Sequence, residues 1–123
     1  MTMTNIEMLN RLTYLQSISS KVTGRLAYAV ARNIRKIANE CQDFMKFKDD
    51  LVRKYGTQTE DVNLVIQQNT ESYSKFMDEL KIYTDLQCDV DIYIVDEKEL
   101  WESELNADEM LMIEFMVKAE GEE

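Results

Sequence analysis

Apolar side chains recur along the chain at two different periods, and each change of period marks a new element. Ile6, Leu9, Leu12, Leu15 and Ile18 lie three apart, the spacing at which residues share one side of an α-helix. Thr4 stands three residues before Glu7, a capping-box spacing in which each side chain satisfies a free backbone N–H at a helix start. A first helix is therefore predicted near 4–17, ended by the serines between Ser17 and Ser20. From Lys21 to Tyr55, Leu26, Val30, Ile34, Ile37, Cys41, Phe44, Leu51, Val52 and Tyr55 continue the helical row. Unbroken, that helix would run roughly 50 Å and form the spine of the fold. Gly56 directly after Tyr55 suits a left-handed C-cap, whereas Gly24 weakens the first turn.

Between Gly56 and Gln68 the period shortens, with Val62, Leu64 and Ile66 at alternate positions, which predicts a short strand at 62–66. Asn69 or Thr70 can cap a helix running to about 86, with Tyr73, Phe76, Met77, Leu80, Tyr83 and Leu86 facing inward. Val90, Ile92 and Ile94 alternate again, so 90–95 is expected as a strand paired with 62–66. Residues 97–105 have room for one helical turn. Asn106 with Glu109 three positions on then caps a short apolar helix carrying Met110, Leu111, Ile113, Phe115, Met116 and Val117. The pattern predicts a mainly helical α+β domain over 1–123. In it a long helical hairpin carries a small two-stranded β-ribbon and a short C-terminal helix, and an acidic tail frays over 119–123.

Composition narrows the chemistry. At 123 residues, 45% hydrophobic and 31% charged, the chain can bury an ordinary single core. It has no His, no Pro and three Gly. These counts remove histidine-based catalysis and metal ligation, and they remove the glycine-rich loops that cradle phosphates. Cys41 and Cys88, the only cysteines, read as reduced core thiols. No basic region followed by a long apolar run opens the sequence, and no stretch reaches the roughly 20 apolar residues of a membrane span, so a cytoplasmic, soluble protein is expected. Catalytic residues, cofactors and metals are expected to be absent.

Charge is distributed unevenly. Residues 1–56 carry ten basic and five acidic side chains, and 57–123 carry four basic and nineteen acidic ones. The acids relevant to binding are Asp85, Asp89, Asp91, Asp96, Glu97, Glu99, Glu102, Glu104, Asp108 and Glu109. They make a field that steers basic partners and repels nucleic acid; the bland alternative is a solvated face. Trp101, the only tryptophan, sits among them as a candidate interface anchor, with local packing as its alternative. On the long helix Lys21, Arg25, Arg32, Arg35 and Lys36 form a basic stripe, either a secondary contact surface or an ordinary solvent face. Basic and acidic regions of two copies could also attract each other and favour homo-oligomers.

Three further features carry weaker chemistry. Asp96-Glu97-Lys98 has the form of a nuclease metal element but lacks an upstream acid on a separate strand. Asp89-x-Asp91 puts two carboxylates on one face of an extended segment, as an edge strand does. The eight methionines suit either core filling or an adaptable binding surface.

The segments NIEMLNRL, KVTGRLAYAVARN, FKDDLVRKYG, DVDIYIVDEKEL and SELNADEMLMIEFMV, in this order, resemble small proteins encoded by phages and prophages of Gram-positive bacteria. That family has no assigned function and no catalytic signature, so the resemblance transfers no site residues. It implies a bacterial host cell or a virion as the setting. In that setting, the expected function is a non-enzymatic interaction module, most specifically an anti-CRISPR-like acidic inhibitor competing for the nucleic-acid groove of a host defence nuclease. An oligomeric virion structural or assembly protein is the alternative.

Overall fold

The computed structural model describes residues 1–58, 64–65 and 70–119, and the side chains of 1–56 and 70–119. The elements in chain order are β1 (Thr2–Thr4), α1 (Asn5–Ile18), α2 (Gly24–Tyr55), β2 (Thr57–Gln58), β3 (Leu64–Val65), α3 (Glu71–Thr84), β4 (Gln87–Asp89), β5 (Val95–Asp96), α4 (Lys98–Trp101), α5 (Ala107–Met112) and β6 (Val117–Lys118). A 3₁₀ turn at Glu114–Met116 links α5 to β6. This is the mainly helical α+β architecture that the residue pattern predicts, with three two-stranded pairings in place of one ribbon.

α1 begins at the expected capping box: the Thr4 hydroxyl accepts from the Glu7 N–H, and the Glu7 carboxylate accepts from the Thr4 N–H, both at 3.2 Å. Its inner row is Met8, Leu12, Leu15 and Ile18. Ile6 is exposed, and Met8 fills the core in its stead. α2 buries Leu26, Ala29, Val30, Asn33, Ile37, Cys41, Phe44 and Leu51. Gly24 has a φ of +61°, a left-handed conformation that costs other residues roughly 1–2 kcal/mol; an added Cβ would meet nothing within 4 Å, so glycine is needed there for conformation rather than space. Gly56, by contrast, caps α2 in an extended conformation with φ −77°, so the left-handed cap expected there is corrected.

α3 is capped by the Thr70 hydroxyl, which accepts from the Tyr73 N–H at 3.1 Å; Asn69 lies outside the described residues. α3 packs antiparallel to the distal half of α2. Tyr83 meets Phe47 with ring centroids 4.1 Å apart, while Glu79 accepts from Lys54 and Tyr55. Phe44, Leu51, Phe76 and Leu80 form a small core there. Met77 and Leu86, expected inside, are exposed.

The larger core joins α1 and the proximal half of α2 to the C-terminal segment through Val90, Ile92, Val95, Leu100, Leu105, Ile113 and Met116. Among the described residues, the ribbon expected between 62–66 and 90–95 does not form. Leu64–Val65 pairs antiparallel with Thr57–Gln58, and Val62, Asn63 and Ile66 lie outside the described residues. β4 pairs antiparallel with β1, placing Met3 opposite Cys88. β5 pairs in parallel with β6, placing Val95 opposite Val117. Residues 90–94 run between β4 and β5 without a strand partner among the described residues. The terminal apolar run is likewise not one helix: α5 stops at Met112, and Ile113 and Met116 both point into the core. A 3₁₀ turn places residues three apart on one side, and these two then need no further α-helical turn. The fraying expected at 119–123 falls, from 120 onward, outside the described residues.

Candidate functional site

The acidic side chains named from sequence divide into those with an ion-pair partner among the described residues and those without one. Three are held. Asp89 lies 3.1 Å from the amino group of Met1, and Asp91 lies 3.6 Å from the Lys36 ammonium, which also donates to the Asp91 carbonyl at 2.7 Å. Glu109 accepts from the Asn106 N–H at 3.1 Å and from Lys21 at 2.7 Å. Lys21 and the Asn106 N–H together hold the Glu109 carboxyl below its ordinary pKa.

Asp96, Glu99, Glu102, Glu104 and Asp108 make no ion pair with a described residue, and neither does the nearby Glu114. β5 carries Asp96, α4 and the following loop carry Glu99, Glu102 and Glu104, α5 carries Asp108, and the 3₁₀ turn carries Glu114; Asp96, Glu99, Glu102 and Glu104 line adjoining grooves that Arg25 also lines, and Glu114 lines a separate one. Glu97 starts α4 and donates its N–H to the Lys118 carbonyl at 2.9 Å. Asp85 ends α3, away from this group, and is exposed. Within the group Trp101 is 62% exposed, and α4 is anchored beneath it by Leu100, which is buried.

The basic stripe is not a separate pole, because the C-terminal segment folds back across the proximal half of α2. Lys21 and Lys36 are bound to Glu109 and Asp91 as above. Arg32 donates to the Tyr28 hydroxyl at 2.9 Å and stacks over the rings of Tyr28 and Tyr93 at 5.6 and 5.5 Å; the Tyr28 hydrogen bond raises its pKa. Arg25 faces Glu99, Glu102 and Glu104 across a groove of about 290 Å³, but forms no ion pair. Arg35 points to solvent.

A second groove, of about 730 Å³, is bounded by Leu100 on α4, Ala107, Met110 and Leu111 on α5, and Val117 on β6. Glu97 and Glu114 also line it. Leu111 is 67% exposed there, although Ile113 and Met116 of the same apolar run are buried. This groove was missed in the sequence because it depends on α5 ending at Met112. The signal available was a leucine beside Met110 in a helix with acids at Asp108 and Glu109.

The weaker chemical motifs are dispersed. Asp96 lies on β5, opposite Lys118 in the strand register but without an ion pair to it, while Lys98 belongs to α4. No group of three or more His, Cys, Asp or Glu placed to hold a metal occurs among the described residues. Both cysteines are free, Cys41 fully buried and Cys88 half-buried. Met3, Met8 and Met116 fill the core, whereas Met110 sits at the second groove. No helix among the described residues is long and apolar enough to cross a membrane. No family model, curated protein or solved structure matches the chain.

Proposed function

We propose that the chain is a non-enzymatic protein-interaction module that works through the acidic face built by residues 96–114. One observation carries this reading: within residues 96–114 six carboxylates, Asp96, Glu99, Glu102, Glu104, Asp108 and Glu114, make no ion pair with a described residue, and Trp101 and Leu111 of the same segment are exposed. A net excess of charge of one sign steers a partner of the other sign, and an exposed tryptophan in the same segment supplies apolar contact area.

The specific form proposed is inhibition of a host defence nuclease in a phage-infected bacterial cell. Enzymes that handle DNA line their channels with Lys and Arg, and a compact acidic domain competes there with phosphate. The test is capture from bacterial lysate on the immobilised full chain at low and moderate salt, followed by DNA binding of the captured protein. The reading expects a nuclease whose DNA binding is blocked by the chain and whose capture weakens as salt rises. Recovery of further copies of the chain alone, with no nucleic-acid-binding partner, would contradict it and favour an assembly role.

A further inference from the structure

Resting on the acidic-face reading, we infer that the groove between α4, α5 and β6 seats a single amphipathic basic helix of the partner protein. Its wall is apolar, formed by Leu100, Ala107, Met110, Leu111 and Val117, and each charged side chain lining it, Glu97 and Glu114, is a carboxylate. That combination selects its occupant. A phosphate-rich ligand is repelled, and a small cation would gain nothing from the apolar wall. A helix with apolar residues at i, i+3, i+4 and i+7 and Lys or Arg flanking them matches both the apolar wall and the negative charge that Glu114 presents at its edge. A second copy of this chain is a poorer match, since its most basic helix, α2, turns its apolar row into its own core. The groove adds apolar contact, which determines lifetime, to the charge that determines encounter rate.

The test titrates the full chain with an 18-residue Lys/Leu amphipathic peptide lacking tryptophan, read by the fluorescence of Trp101, next to Leu100 on α4. A scrambled peptide of the same composition keeps the charge but not the apolar stripe. The amphipathic peptide is expected to bind about tenfold or more tightly than the scrambled one. Leu111→Asp should remove that advantage, Leu111→Met should keep it, and circular dichroism should show both variants folded. Equal binding of the two peptides, or unchanged binding by Leu111→Asp, would overturn the groove assignment. The acidic-face reading would survive equal binding if Asp96→Lys with Glu102→Lys still abolished it. Binding of neither peptide also overturns the groove assignment, and the acidic-face reading is then decided by the lysate experiment. A concentration-dependent dimer that Leu111→Asp dissolves would assign the groove to a second copy instead.

Discussion

The side-chain amide of Asn33 pairs with the backbone of Tyr93 in the way a neighbouring strand would: its Oδ1 accepts from the Tyr93 N–H at 2.7 Å and its Nδ2 donates to the Tyr93 carbonyl at 2.9 Å. Nδ2 also reaches the Met116 sulfur at 3.4 Å. One fully buried residue of α2 thus fixes the extended segment 90–94 and the 3₁₀ turn that carries Met116. Both flank the acidic face.

Asn33→Ala should therefore cost about 2–3 kcal/mol, because it leaves a Tyr93 N–H and carbonyl without their partner. Urea unfolding checks this. A change under about 0.5 kcal/mol, in the range of an ordinary surface substitution, would show that water replaces the amide without penalty.

Glu109 makes the fold sensitive to acid. Its folded-state pKa is lowered by the Lys21 hydrogen bond first and the Asn106 N–H second, from an ordinary value of 4.5. A lowered carboxylate pKa means stability that is fully present above that ordinary value and lost as pH falls through the folded value. Glu109→Gln should lower the thermal midpoint at neutral pH, and the difference from the unaltered chain should shrink as pH falls below 4.5 and the carboxylate is protonated. A difference that persists in acid would mean that shape, not charge, is what Glu109 supplies.

The thiols should behave as packing groups. Burial, with the Cys88 thiol adding to it, pushes Cys41 up to about 11. Its reactive thiolate is then about a thousandth of the population at pH 8. In the native chain a disulfide reagent should label Cys88 well before Cys41, and denaturant should make both react. Cys41→Ala should cost on the order of 1 kcal/mol in reducing and oxidising buffer alike. A cost of several kcal/mol confined to oxidising buffer would instead reveal a Cys41–Cys88 bridge.

Helix positions and caps were legible because their signals are local: Thr4 with Glu7 and Asn106 with Glu109 both form reciprocal capping boxes. The alternation was real over 90–93, since Val90 and Ile92 are buried while Asp91 and Tyr93 are exposed, but it breaks at Ile94, which is exposed while Val95 enters the core in its place. Alternation reports which side chains turn inward and is silent on what satisfies the backbone; here a side chain of α2 does so. The clue was Asn33 itself, a polar residue in the apolar row Leu26, Val30, Ile37 and Cys41. Charge totals along the chain could not reveal that Lys21 and Lys36 are consumed by Glu109 and Asp91, because those pairs span 88 and 55 positions. Dividing acids that brace the fold from acids that face outward required the tertiary arrangement.

The central claim is that the outward acids, not the basic stripe, make the contact. Its most direct measurement compares the amount of one partner retained from the same bacterial lysate by three folded baits. These are the unaltered chain, a variant with Asp96→Lys, Glu99→Lys, Glu102→Lys and Glu104→Lys, and a variant with Arg25→Glu and Arg35→Glu. The second variant spares Lys21, Arg32 and Lys36, which the fold itself uses. The acidic reversal should reduce retention about tenfold or more, and the arginine variant should stay within about twofold of the unaltered chain. Loss of the partner by the arginine variant with full retention by the acidic reversal would make the stripe the contact surface and exclude mimicry of nucleic acid.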